Sequence, residues 1–454
     1  MLRGANIEMN TLSEFFTYFL SFQSYVMLPI IVFILAMIFR IKFVVAIKSS
    51  LQLGIAFIGI FMTFDFFVSF VNPAMKALIE NSGLNMPVLD TGWPPLAAIA
   101  WNYNWAPILL LIFMAINTIL LVTRLTSTIN IDIWNYWHVI FLAALIHFAT
   151  GEVWMAIVFA SISFILVLKL AEWSAPLTNK LSGMKGICIP HLSGIIHFPI
   201  AVSLNWLLDK IPFLRKSKSD PETMKKKLGL LGEPMILGII MGIVLGIFAE
   251  YDIKGILNIA FQFAAVIFIL PMMGGVLGSA LVPVSEGMKT FIESRFKKSS
   301  DTFIGLDVAI LFGIPSVLVV AILLMPVSIL LAIVLPGINF IPIGDLTNLL
   351  VPVGIISVAT RGNMLKSFLI GIPVVIINLY YASMFAPVVT EMAAATNYTI
   401  KGYDGVFTSF LDAGNPYRSW LTNLLQGDTT SIALLPVVVA LIIFTWRMSK
   451  KSNA

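Results

Sequence analysis

The chain has 454 residues, of which 59% are hydrophobic and 11% charged. Soluble domains carry roughly a quarter charged residues, so this balance excludes one and marks a polytopic membrane protein. The net charge of +5 does not argue for nucleic acid, because Lys and Arg gather in the loops, and the one cysteine, Cys188, excludes an internal disulfide or a cysteine metal cluster.

The first fifteen residues carry Glu8 and Glu14 and lack a basic start followed by a short apolar core, so no cleavable leader is expected. Apolar runs then predict spans near 16–40, 43–72, 105–123, 134–150 and 152–170. Residues 173–228 are less apolar and end in basic runs, and read as a cytoplasmic linker with a possible re-entrant loop. A second set of spans follows near 229–250, 253–283, 305–335, 346–360 and 363–388, with Pro326 and Pro336 expected to break or bend the third of them. Residues 389–428 read as a polar external loop, and the last span at 429–447 leads to a basic tail ending at 454. Between the second and third spans, Asn85 to Trp101 is proline-broken and too short to cross, so it is expected to dip in and return.

The two sets of five echo each other. MKALIE at Met75 to Glu80 returns as MKTFIE at Met288 to Glu293, 213 positions later. Thr118 to Leu121 pairs with Ser328 to Leu331, Asp132-Ile133-Trp134-Asn135 with Asp345-Leu346-Thr347-Asn348, Phe148 to Thr150 with Val358 to Thr360, and Leu28-Pro29 with Glu233-Pro234. Weak matches in constant order at nearly constant offset indicate a tandem duplication. The fold class is therefore an all-α polytopic membrane protein of about eleven transmembrane helices. Two inverted five-helix repeats (1–172 and 229–388) carry re-entrant hairpins, and one C-terminal helix follows them. With the amino terminus outside, 23 of the 28 Lys and Arg fall on the cytoplasmic side, leaving Arg3, Lys76, Lys254, Lys401 and Arg418 outside. The carboxyl terminus is then cytoplasmic.

Polar residues among apolar ones are the candidate site, since an ionisable group in hydrocarbon costs several kcal/mol. Asp90, Thr91 and Trp93 lie in the first dip, and repeat symmetry is expected to bring Asp90 together with Asp307. Paired carboxylates accept hydrogen bonds from vicinal hydroxyls and an indole stacks on C–H faces, so the pair suits a polyol; the alternative is that Asp90 caps a short helix. Asp132 and Asp345 open matched spans and read as caps or ligands, with Asn135 and Asn348 one turn deeper and Tyr136, Trp137 and His138 extending the same face. GICIPHLSGIIHFP at Gly186 to Pro199 holds His191 and His197, with no third ligand for a metal at short spacing. Gly238, Gly242 and Gly246 form a packing ladder behind Glu233. No P-loop or dinucleotide fingerprint is present in the sequence, so the chain has no means of its own to hydrolyse ATP.

DTGWPP, PHLSG, GLLGEPMILGIIMGIVLGI and the GLD at 305–307 together resemble the galactitol-specific IIC component of the bacterial phosphoenolpyruvate-dependent sugar phosphotransferase system, and more distantly the ascorbate-specific IIC component. The resemblance implies a homodimeric, elevator-type permease of the cytoplasmic (inner) membrane. It carries a polyol, galactitol favoured, to a separate phospho-IIB protein, itself served by IIA. No cofactor is expected on this chain; the phosphate comes from phospho-IIB in trans, and Cys188 is not its carrier. The implied substrate contacts are Asp90, Thr91, Trp93, Asn135, His138, His191, Asp307, Asp345 and Asn348, and the candidate proton acceptors Glu233, Asp307 and His191. Composition by itself leaves open an ion-coupled secondary transporter of a polyol or sugar.

Overall fold

The computed structural model describes residues 24–82, 86–132, 134–217, 219, 233–295, 302–396, 398–400 and 403–452. The start of the first expected span, the basic run at 224–227 and Lys401 lie outside them. In the first half come α1 (Ser24–Ile38), α2 (Phe43–Ser82), β1 (Leu89–Asp90), α3 (Trp93–Asn102), α4 (Ala106–Val122), β2 (Thr128–Asn130), α5 (Trp134–Thr150), α6 (Val153–Ser182), β3 (Ile187–Cys188), α7 (Leu192–Ile195), α8 (Phe198–Leu208) and α9 (Pro212–Lys216). The second half runs α10 (Pro234–Phe248), α11 (Ile253–Arg295), β4 (Phe303–Gly305), a 3-10 turn Val308–Leu311 and α12 (Pro315–Val334). A 3-10 turn Leu346–Leu349 then leads into α13 (Leu350–Thr360), followed by α14 (Met364–Ala395), β5 (Phe407–Thr408), α15 (Pro416–Leu425) and α16 (Thr429–Ser452).

Proline in the first turn opens α3, α4, α8, α10, α12 and α15, where its missing N–H would have had no helical acceptor. Pro326 sits inside α12 without ending it; Pro336 follows the helix end, so the expected break reduces to a stop. Among the described residues α6, α12, α14 and α16 are long and apolar enough to cross a bilayer, and α3 with α4 makes a fifth candidate bent by 93°. That bend lies between Asn102 and Ala106, just past the stretch Asn85 to Trp101 that was expected to dip.

α2 and α11, of 40 and 43 residues, extend about 60 Å at 1.5 Å per residue, twice a hydrocarbon core. The echoed hexapeptides occupy equivalent places near their ends. α1 packs on α2, α10 on α11, and α2 against α11. The expected glycine ladder makes the second of these contacts: a β-carbon on Gly242 would lie 2.4 Å from the Ala260 α-carbon. Edge-to-face contacts among Phe67, Phe70 and Phe263, with centroids 5.2–5.8 Å apart, join α2 to α11.

Short parallel strands cross at the centre of the remaining helices. β1 pairs with β5 (Leu89 to Phe407, Asp90 to Thr408), and Val88 bridges Phe340 on its other side. β4 pairs with β2 and with β3. Each half's dip is thus flanked by two segments of the other half. The stretch 389–428, expected to be an external loop, contains the end of α14, β5 and α15, and its Arg418, assigned to the outer surface, is fully buried. Likewise 173–228 contains the end of α6, β3, α7, α8 and α9. A re-entrant loop was expected within 173–228, but the strands in both stretches were not readable, because strands of two or three residues show no alternation.

Candidate functional site

Where β1 ends, the Asp90 carboxylate turns back on its own loop and across to the other half. Its Oδ1 accepts from Gly92 N–H (3.2 Å) and Phe410 N–H (3.0 Å), and its Oδ2 from Asp345 N–H (3.1 Å). Asp345 reciprocates: Oδ1 accepts from Trp93 N–H (3.0 Å) and Asn348 Nδ2 (2.9 Å), Oδ2 from Ser409 Oγ and Leu411 N–H (3.3 Å). A carboxylate offers about four lone-pair directions, so Asp345 has none left for a substrate hydroxyl. It caps α3 of the other half rather than its own turn, where it makes no side-chain cap. This corrects one expectation: the carboxylate that meets the Asp90 loop is Asp345, not Asp307, because the parallel register sets 88–90 beside 340–345 and 407–408. Of the two readings of Asp345, cap or ligand, its hydrogen bonds are those of a cap. The approach is close enough that a β-carbon on Gly344 would stand 2.4 Å from Asp90 O, and Gly92 adopts φ +71° opposite it.

Asp307 belongs to the second crossing. Its Oδ1 caps the following turn through Ala309 N–H (2.7 Å), while Oδ2 stands 3.5 Å from His191 Nε2 with the side chain 15% exposed. His191 Nδ1 accepts from Gly194 N–H at 3.2 Å, which puts the ring proton on Nε2, facing Asp307. The His191 and His138 rings lie 4.0 Å apart, His138 and Trp137 3.8 Å, and Trp137 and Trp93 6.3 Å. The result is an aromatic row running from the start of α3 to the start of α7.

Beneath the row lies a cluster the sequence reading missed. Arg418 Nη1 donates to the Asp412 carbonyl (2.9 Å) and Oδ1 (2.7 Å); Nη2 donates to Ser193 Oγ (2.9 Å), His138 O (3.2 Å) and His138 Nδ1 (3.1 Å). Ser193 Oγ donates in turn to Asp412 Oδ1. Because guanidinium only donates, His138 Nδ1 accepts and the ring proton sits on Nε2. That Nε2 is buried without a hydrogen-bond partner, as are Trp137 Nε1, Asn135 Oδ1 and Asn130 Nδ2. Buried polar atoms are ordinarily satisfied, so unmet groups of this kind are where a hydroxylated ligand gains most. The one available signal for Arg418 was its place: it follows the second set of apolar runs as Ser193 follows the first.

Of the other expected residues, Asn135 is buried and its Nδ2 donates to Asn130 Oδ1 (3.0 Å), while Thr91 Oγ1 donates to Thr408 O (3.1 Å). Trp93, Thr91 and Asn348 keep partial exposure. Glu233 heads α10, whose main partner is α11, so the fold does not bring it to the histidines. Among the described residues no group of three His, Cys, Asp or Glu could hold a metal ion. A cavity of about 320 Å³ opens elsewhere, between α6, α8, α13, α14 and α16, and none of the expected residues lines it.

The family model for the PTS system sugar-specific permease component, EIIC-GAT, matches residues 18–404. The chain belongs to this family. Two Escherichia coli relatives of this permease family have comparable identity. It is 32% identical over 425 residues to a putative permease IIC component of strain K12, covering 94% of this chain and 96% of the relative. It is also 32% identical over 440 residues to the PTS system galactitol-specific EIIC components of strains K12 and O157:H7, covering 96% and 97%. The family match ends before Asp412 and Arg418, whereas the matches to the relatives run almost end to end.

Proposed function

We propose that the chain is the membrane-embedded IIC subunit of a sugar phosphotransferase system. It moves a polyol, galactitol in the first instance, inward to a cytoplasmic phospho-IIB protein. The observation that carries this reading is the aromatic row with unmet buried donors beside the Asp307–His191 pair, in a chain of the permease family. Trp93 and Trp137 suit the C–H faces of a sugar alcohol; His138 Nε2–H, Trp137 Nε1–H, Asn135 and Asn348 suit its hydroxyls. Asp307, alone of the three candidate acceptors in offering a partly exposed carboxylate at the row, takes the proton of the reacting hydroxyl. The partner's S–P bond breaks as the O–P bond forms, the thiolate leaves on IIB, and the proton passes to Asp307 Oδ2. Since phosphoryl transfer is mainly positioning and electrostatics, this subunit need supply little more.

The exchange of strands between halves supports two inverted repeats, with α1, α2, α10 and α11 as a scaffold and the crossed helices as the moving, elevator-type body. Eleven spans, a homodimer, and an inner-membrane placement with the carboxyl terminus cytoplasmic complete the proposal. Uptake into membrane vesicles tests it. Galactitol is expected to accumulate only as its monophosphate and only when phospho-IIB is supplied. Accumulation of unphosphorylated galactitol on a proton gradient, without IIB, would establish the ion-coupled reading instead.

A further inference from the structure

The 320 Å³ cavity lies at the small end of the roughly 300–1,000 Å³ usual for ligand pockets, and its lining is unlike the central site. Trp173 of α6 and Trp206 of α8 wall it; Arg361, just past α13, and Lys366, in the first turn of α14, bring two cations to it, and Asp209 one carboxylate. Arg361 is exposed, with φ 58°, and Lys366 Nζ is 2.6 Å from Asp209 Oδ1, a side chain 41% exposed and so shared with solvent. Asn205 Oδ1 is buried without a hydrogen-bond partner, and its Nδ2 reaches Ala359 O only at 3.5 Å. Phe198, the first residue of α8, also lines the cavity.

A neutral polyol has no use for two cations. A monoanionic or dianionic phosphoryl group does, with a planar guanidinium for its oxygens and an ammonium as a second charge. We infer that this cavity receives the phosphorylated sugar alcohol after transfer, Arg361 and Lys366 holding the phosphoryl group, Asn205 a hydroxyl, and the two indoles the carbon chain. The inference rests on the phosphotransferase reading above. It places a product site on the side that the basic residues assign to the cytoplasm, where the central site, which among the described residues has no free cation at its aromatic row, would release a charged product.

Galactitol and a galactitol monophosphate are titrated in turn into the purified full-length chain in nanodiscs, with and without phosphatidylglycerol. Both compounds are expected to bind wild type. Arg361→Asn, a residue type that tolerates the left-handed backbone, and Lys366→Met should each weaken the monophosphate about tenfold or more, the loss of one charge-assisted contact. Galactitol affinity and the unfolding temperature should stay unchanged. Equal monophosphate affinity in both variants overturns the inference, as does a wild type that binds galactitol alone. Loss of retained phosphatidylglycerol in the variants, with monophosphate binding intact, makes the cavity a lipid-headgroup site and also overturns it. If wild type binds neither compound, the transport reading itself fails.

Discussion

Replacing Arg418 with Met removes the guanidinium of a buried cluster while keeping an unbranched, apolar side chain. The guanidinium is fully buried and gives hydrogen bonds to Asp412, Ser193 and His138 at 2.7–3.2 Å, with the Phe141 ring 5.4 Å beneath it. Asp412 is itself 5% exposed, so its carboxylate would be stranded. Removing one partner of a buried ion pair costs about 3–5 kcal/mol, and that is the expected loss of stability on titrating the purified protein in mixed micelles with SDS. Asp412→Asn combined with Arg418→Met leaves no unpaired charge, so the double variant should lose less than the two singles together, with a coupling of about 1–3 kcal/mol. Additive losses, or an Arg418→Met protein within about 1 kcal/mol of wild type, the range of an exposed ion pair, would refute the cluster as a tie between α5, α7 and α15.

Gly242→Ala would gain about 1 kcal/mol in an isolated helix. Here it must force α10 off Ala260 and should cost about 1–3 kcal/mol instead; an unfolding midpoint at or above wild type would show that the helices part freely. Asn117 Nδ2 donates to Thr128 O (2.9 Å) and its Oδ1 accepts from Asn130 N–H (3.0 Å), covering the edge of β2 that β4 does not. Asn117→Ala should therefore lower stability by about 1–3 kcal/mol for each orphaned group, measured by the same titration, and a neutral result would mean the edge is solvated. Cys188 is buried, so single cysteines placed at Lys76 and Lys289 can be labelled from either side of sealed vesicles. Labelling from opposite faces is expected, and labelling from one face would remove the inversion.

The membrane class and the glycine ladder were legible because each is a local property: composition and the i, i+4 spacing of small residues. The echoed hexapeptides marked equivalent ends of α2 and α11 for the same reason. Asp90 and Asp345 were both singled out as polar residues among apolar ones, with capping as one reading of each, yet the groups they would meet were not readable. Which lone pairs remain open depends on Ser409, Phe410 and Leu411, more than three hundred residues from Asp90 and some sixty from Asp345. Arg418 was hidden by the rule that served best elsewhere. Sorting Lys and Arg into loops assumes each is solvated, and a fully buried guanidinium with a carboxylate beside it breaks that assumption without any signal in hydropathy.

Equilibrium binding of galactitol to the purified chain and to Asp307→Asn tests most directly whether the crossing of the two halves is the sugar site. Asparagine keeps an oxygen for Ala309 N–H, so the fold should stand and the unfolding temperature hold. A loss of affinity of about tenfold or more, the worth of one hydrogen bond to a charged group, is expected; wild-type affinity in a folded Asp307→Asn protein would contradict it.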